Sequence, residues 1–267
     1  MDRIYRIEWK GAARHAVERD GVLSLLDGSI FGDYRAGEPI ATGSGTSFSP
    51  AVRVLAPIIP GKIVAIGLNY KDHAAEQGKP LPVEPMLFLK PSTAVIAPGE
   101  PIRLPAGVGR IDHEAEMAIV IGRRATRVSV ERAHEHILGI TAANDVTARD
   151  MQNRGVQYSH VKGFDTFGPL GPCIAVGLDP ADLAVTGTVN GVRRQHSRTR
   201  QLVFPAAALI AYISNVMTLE PGDVISTGTP SGIAGLVAGD TVTIAVEGVG
   251  ELTNPVIDRD EGLAARR

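Results

Sequence analysis

Between Glu114 and Gly122 the chain reads EAEMAIVIG, two carboxylates at alternate positions leading an otherwise apolar run. As a strand, it places Ala115, Met117, Ile119 and Ile121 on one face and Glu114, Glu116, Ala118 and Val120 on the other. The Cα atoms of the two glutamates then stand about 6.6 Å apart on one side, at about 3.3 Å of rise per residue. A helix would instead turn them about 200° apart. Two anions side by side on a strand bound for the interior repel each other and resist losing water, so they need a shared counter-charge.

Elsewhere the pattern is mostly that of short strands. HAVERDGVLSLLDG carries Asp20-Gly21 between alternating segments, and TVNGVRR carries Asn190-Gly191, both hairpin signals. KIVAIG, PMLFLKP and GITAAND read as strands, and VISTG and TVTIAVEG as late ones, each introduced by Gly-Asp. Helical patterns are few. Asn69 is a candidate cap for YKDHAAEQG, with Gly78 ending it, and Ser129 is one for SVERAHEHIL. VTARDMQNRG begins another helix, and PAAALIAYISNVM has Pro205 at its first turn. Strands outnumber helices without regular alternation, which predicts a mixed, β-rich α+β fold rather than a doubly wound sheet. The first 56 residues read as a small β-rich N-terminal domain, and Pro57 and Pro60 mark an extended connector into a second domain over 57–267.

Composition narrows the function by exclusion. A net charge of -2 with 21% charged residues argues against a dedicated nucleic-acid or membrane-surface binder. RRQHSRTR, Arg193 to Arg200, is the one basic cluster and reads as a solvated loop. The single cysteine, Cys173, rules out an internal disulfide and a multi-cysteine metal site, and its apolar neighbours suit a core thiol better than a nucleophile. No apolar run approaches the ~20 residues that cross a bilayer, and the charged start lacks a signal-peptide core, so a cytoplasmic setting is expected.

Four stretches carry the chemistry. Asp145, in AANDVTARDMQ, joins the two glutamates as a third acid, and on a helix Asp145, Arg149 and Gln152 would share a face at i, i+4 and i+7. Three carboxylates without sulfur or an obvious histidine make a hard, oxygen-only site for Mg²⁺ or Mn²⁺, with Ca²⁺ as an alternative. The other reading is a solvated strand end with Arg110 or Arg123 nearby. In NYKDHAAEQG, His73 and Glu76 stand at i, i+3, where the carboxylate can orient the imidazole as a general base; the same spacing describes a surface pair without a role. In SHVKGFDTFGPLGP, Lys162 precedes a segment whose glycines, prolines and two phenylalanines describe a shaped loop, and it suits an anionic substrate or a solvated surface. In STGTPSG, the backbone at Gly228 and the Thr229 hydroxyl form a carboxylate cradle or a plain turn.

Taken in order, GLNYKDHAAE, PMLFLKP, DHEAEMAIVIG, NDVTARDMQ, VKGFDTFGPLGP, STGTPSG and VEGVGELTNPV resemble the fumarylacetoacetate hydrolase family, in its bacterial acylpyruvase and hydroxymuconate isomerase-like branch, from about Pro57 to Asp258. The resemblance implies a β-roll catalytic domain behind a small N-terminal domain, and a homodimer. It implies Glu114, Glu116 and Asp145 as Mg²⁺ or Mn²⁺ ligands, and His73 and Glu76 as a dyad on a lid segment. Lys162 would share catalysis, with Arg149, Gln152, Gly228 and Thr229 contacting substrate. It further implies a small 2-oxo acid substrate: an acylpyruvate cleaved by water between C3 and C4 to leave a pyruvate enolate, an oxaloacetate-type acid decarboxylated, or a hydroxymuconate-type diacid isomerised. The rival from another class is a member that binds metal and ligand without turnover; phosphoryl transfer lacks a P-loop here. Gly163 stands where many relatives carry serine, and NRGVQYSH matches no one activity.

Overall fold

The computed structural model describes residues 1–259. Its centre is the strand Ala115–Ile121, every residue of which is buried. Ala115, Met117, Ile119 and Ile121 point into the main core, with Val185, Ile244 and Leu252. Ala118 and Val120 enter a second, smaller core with Ile4, Ile63, Leu170 and Ile174. The strand is therefore apolar on both faces beyond its acidic start, as a strand covered on both sides must be.

The large sheet has the path Tyr34–Thr42, Val22–Gly28, Ala12–Arg19, Arg3–Trp9, Gly168–Ala175, Ile137–Asn144, Ala115–Ile121, Val224–Ser226, Ile63–Gly67 and Met86–Lys90. A second sheet runs Val192–Arg198, Ala184–Val189, Thr241–Val246, Gly250–Asp258 and Ile102–Leu104. The main core lies between the two. A three-stranded patch, Thr147–Ala148, Ile111–His113 and Ala234–Gly235, closes one end beside the acidic residues. The N-terminal hairpins join the large sheet edge to edge, Arg3 opposite Ala175. The tips of the hairpins expected at Asp20-Gly21 and Asn190-Gly191 have positive φ at both residues (52° and 79°, 52° and 75°), the two-residue turn that matches strand twist.

Helices are few, and three readings of them need correcting. Val130–His136 is a 3-10 helix rather than an amphipathic α-helix, and Ser129 makes no side-chain cap to its backbone. Asn69 does not cap Lys71–Glu76 either. Its buried amide instead donates to the carbonyls of Phe204 and Thr227 and accepts from the Phe204 N–H, tying three segments together. Asp145 precedes the short strand Thr147–Ala148, and the helix begins only at Arg149, so the i, i+4, i+7 face does not exist.

Candidate active site around three buried carboxylates

Strand pairing brings the acids together. Ala115 lies opposite Asn144 and Glu116 opposite Ala143. One residue further out the two chains stay tied: the Asp145 N–H donates to the Glu114 carbonyl at 3.0 Å, and the Asn144 side chain accepts from the Glu114 N–H at 3.0 Å. Glu114, Glu116 and Asp145 are each at most 5% exposed, and one oxygen from each lies within 4.8 Å of the others. Adjacent positions on paired strands, rather than a helical face, produce this convergence.

The surrounding charges are arranged to tolerate it. Lys162 Nζ donates to Glu114 Oε2 at 2.8 Å and also to Asp145. Lys90, 3% exposed, donates to the other Asp145 oxygen and to the Phe167 carbonyl at 2.8 Å. Arg149 reaches Glu114, Gln152 and, at 2.8 Å, Asp112. Burial alone would push the Glu114 carboxyl up, but Lys162 and Arg149 outweigh it and hold it well below the usual range. Glu116 lies on the other side of that balance: burial and then the Asp145 charge push its carboxyl well up. Burial also works against the Lys162 ammonium, yet Asp145 and Glu114 more than compensate, so it stays charged.

Glu116 is held by the Ser226 hydroxyl and by the Gly228 N–H at 2.9 Å, both on Oε2. Gly228 takes φ +98°, and a Cβ there would stand 2.8 Å from the Asn69 Cβ. The loop thus needs glycine, but its N–H is directed at Glu116 and Gly228 does not line the cavity, contrary to the cradle expected of it. Thr229 does line the cavity.

His73 and Glu76 lie on the helix Lys71–Glu76, with His73 Nδ1 2.9 Å from Glu76 Oε2. Gln77 donates from its amide to His73 Nε2 at 2.7 Å, so Nδ1 carries the proton shared with Glu76. The helix is fastened at both ends. Asp72 accepts from the His73 N–H and the Ser197 hydroxyl, and Glu76 Oε1 accepts from the Gly232 N–H. A cavity of about 270 Å³ is lined by His73, Glu114, Arg149, Gln152, Lys162 and Thr229 among others, while Glu116 and Asp145 lie buried beside Glu114. Six of the ten residues singled out in the sequence thus share one chamber.

The fumarylacetoacetate hydrolase C-terminal family profile matches residues 62–257, nearly all of the chain that builds this chamber. The chain belongs to the fumarylacetoacetate hydrolase family. Protein Rv2993c of Mycobacterium tuberculosis is 48% identical over 240 residues, 89% of this chain and 90% of that one. The crystal structure of 5-carboxymethyl-2-hydroxymuconate delta-isomerase from Mycobacterium smegmatis is 45% identical, with a TM-score of 0.84 over 96% of this chain and 99% of the other. Maleylpyruvate hydrolase from Sphingobium sp. SYK-6, solved with manganese(II) and pyruvate, is 28% identical, with a TM-score of 0.76 over 96% and 99%. The family and its β-rich fold stand as the motif order implied, and its members include both hydrolases and isomerases.

Three oxygen donors around one small space, with no sulfur or imidazole among them, form a donor set that fits a hard divalent cation. Gly163, which follows Lys162, has a local reason. A Cβ there would stand 2.2 Å from the Ser159 carbonyl oxygen, so this backbone admits no serine. Cys173 is buried and its thiol is pushed up to about 12 by burial, in keeping with a core role.

RRQHSRTR is not a solvated loop. It forms most of the strand Val192–Arg198, with Gln195 and Ser197 buried and the arginines facing out. Gln195 Oε1 accepts from the Ala115 N–H at 2.8 Å, and its Nε2 donates to Thr229 Oγ1 at 2.8 Å and to the Pro230 carbonyl at 2.7 Å. Gln195, Ser197, Lys90, Gln77 and Asp112 were missed in the sequence. The period-two pattern Gln195, Ser197, Thr199 after an Asn-Gly turn was the signal that pointed to the first two.

Proposed function

We propose that the chain is a divalent-metal-dependent enzyme that cleaves a C–C bond in an acylpyruvate-type 2-oxo acid by hydrolysis. The observation that carries this reading is the chamber lined by Glu114, the outermost acid of an oxygen-only triad backed by cations, and by an oriented imidazole. Glu114, Glu116 and Asp145 would hold Mg²⁺ or Mn²⁺, which when bound supplies positive charge for a developing oxyanion. Lys162 and Arg149 keep Glu114 ionised and add positive charge at the chamber wall. Gln152 and Thr229 orient the substrate by hydrogen bonds.

His73 takes a proton from water on Nε2, once water has replaced the Gln77 amide there, while Glu76 steadies the imidazolium through Nδ1–H. Hydroxide adds to the C4 carbonyl. The C3–C4 bond then breaks, its electron pair passing into the enolate of pyruvate, and a proton returned to C3 completes pyruvate and the second acid.

Isomerisation of a hydroxymuconate-type diacid is a second reading, favoured by the 45% identical isomerase, and asks the same base only to move a proton. Rates on acylpyruvates, fumarylpyruvate, oxaloacetate and a hydroxymuconate-type diacid, with Mg²⁺ or Mn²⁺, separate hydrolysis, decarboxylation and isomerisation by their products. Glu116→Ala is expected to lower turnover at least 10²-fold. Full turnover after removal of all divalent metal sinks the reading, and metal-dependent ligand binding without pyruvate release or isomerised product assigns a non-catalytic binder.

A further inference from the structure

We propose that Lys79 receives the far carboxylate of a two-acid substrate, so that this site selects 2-oxo diacids over 2-oxo acids with an uncharged tail; this rests on the 2-oxo acid reading above. The chamber has a charge gradient. Its buried end holds Glu114 and Lys162, while Gln77, Lys79, Met86 and Asn153 are its exposed lining. Three permanent cations line it: Arg149, Lys162 and Lys79. Arg149 and Lys162 are already engaged by the protein's own carboxylates. Among the described residues Lys79 has no ion pair and no side-chain hydrogen bond, and Glu114 is the only acid lining the chamber, committed to Arg149 and Lys162.

Its position follows from how the helix ends. Gly78 takes φ +61°, its N–H donates to the Ala75 carbonyl, and the Lys79 N–H folds back to the Ala74 carbonyl at 3.0 Å. This paired closure reverses the chain over the last turn. It puts Lys79 on the same wall as Gln77 and His73 rather than leading it into solvent. The rest of the outer wall, Met86, Tyr158 and Ile233, offers a tail apolar contact but no counter-charge. A substrate held at the buried end by its 2-oxo acid head thus presents its tail to one free ammonium. Exposed pairs of this kind contribute at most about fivefold in affinity.

Calorimetric binding of 2-oxoglutarate and 2-oxopentanoate to the Mg²⁺-loaded full chain tests this, because the two ligands share a head and a chain length and differ in a terminal carboxylate against a methyl. The expected result is a preference for the diacid of up to about fivefold that shrinks with added salt. Lys79→Met should erase the preference, Lys79→Arg keep it, and Lys79→Glu reverse it. A preference that survives Lys79→Met, or its absence in the unmodified protein, overturns the assignment while leaving the parent reading in place. Failure of both ligands to bind overturns the parent reading and this one with it.

Discussion

Gln195→Leu removes an internal clamp without changing side-chain volume greatly. Gln195 is fully buried and makes three hydrogen bonds: from the Ala115 N–H, to Thr229 Oγ1 and to the Pro230 carbonyl. Thr229 keeps a partner in the variant, since its hydroxyl donates to the Ala115 carbonyl at 3.0 Å. The Ala115 N–H, on a fully buried residue, and the Pro230 carbonyl lose theirs. Each buried group left without a partner costs about 1–3 kcal/mol, so the loss of stability should be about 2–6 kcal/mol. Urea unfolding at fixed metal concentration reads it as a lower midpoint at unchanged slope. A structural loss alone would leave the folded enzyme's kinetics intact. If Gln195 also positions Thr229, turnover by the folded fraction falls, and the double variant with Thr229→Val loses less than the two single variants added together, with a coupling of about 1 kcal/mol. A Gln195→Leu protein within 0.5 kcal/mol of the unmodified one by the same measure, with additive kinetics, refutes the clamp.

Two further outcomes follow from the charges. Burial raises the folded-state Glu116 carboxyl above its unfolded value, so between those limits the folded metal-free protein binds more protons than the unfolded chain. Its stabilising contribution is complete below the ordinary carboxylate range and is lost as pH rises; metal-free melting temperatures should therefore fall toward alkaline pH, Glu116→Gln should flatten the trend, and added Mg²⁺ should protect most at the alkaline end. Glu114 has the opposite sign, its contribution being lost only on acidification. Glu76→Gln removes the charge that steadies His73 and should lower hydrolytic turnover about 10²–10³-fold; metal affinity measured by calorimetry should stay within about twofold, because Glu76 touches His73 and Gly232 but none of the three buried acids.

The parts of this site that are local in the chain were legible in the sequence. The alternation in EAEMAIVIG assigned each side chain of the strand to its face, and the His73–Glu76 spacing put both on one helical turn. What failed was the rule of a shared helical face for Asp145, Arg149 and Gln152. Arg149 and Gln152 do meet on a helix, but Asp145 reaches the site through a backbone bond to Glu114 across paired strands. Register of that kind depends on which strands become neighbours, and periodicity within a segment carries no record of it. Lys90 was hidden for the same reason: its strand was evident, while its contact with Asp145 spans 55 residues of sequence.

The charge balance of the cluster explains why these distant residues belong together. Glu114, Glu116 and Asp145 buried without company would be costly; Lys162 and Arg149 supply the opposite charge, and Lys90 pairs with Asp145 although burial pushes its ammonium down. Asp112 in turn accepts from both Arg110 and Arg149, so part of the Arg149 charge is already offset. The triad consequently remains short of positive charge around Glu116, whose only hydrogen-bond donors among the described residues are a neutral hydroxyl and a backbone N–H. Burial and the Asp145 charge keep protons on that carboxyl when no cation is near. At Glu116 a divalent ion competes with that proton, whereas at Glu114 and Asp145 it meets Lys162 and Lys90, so metal uptake should release protons at neutral pH. Comparing binding enthalpies in buffers of different ionisation enthalpy measures the number, and no net release would mean that Glu116 is already charged in the metal-free protein.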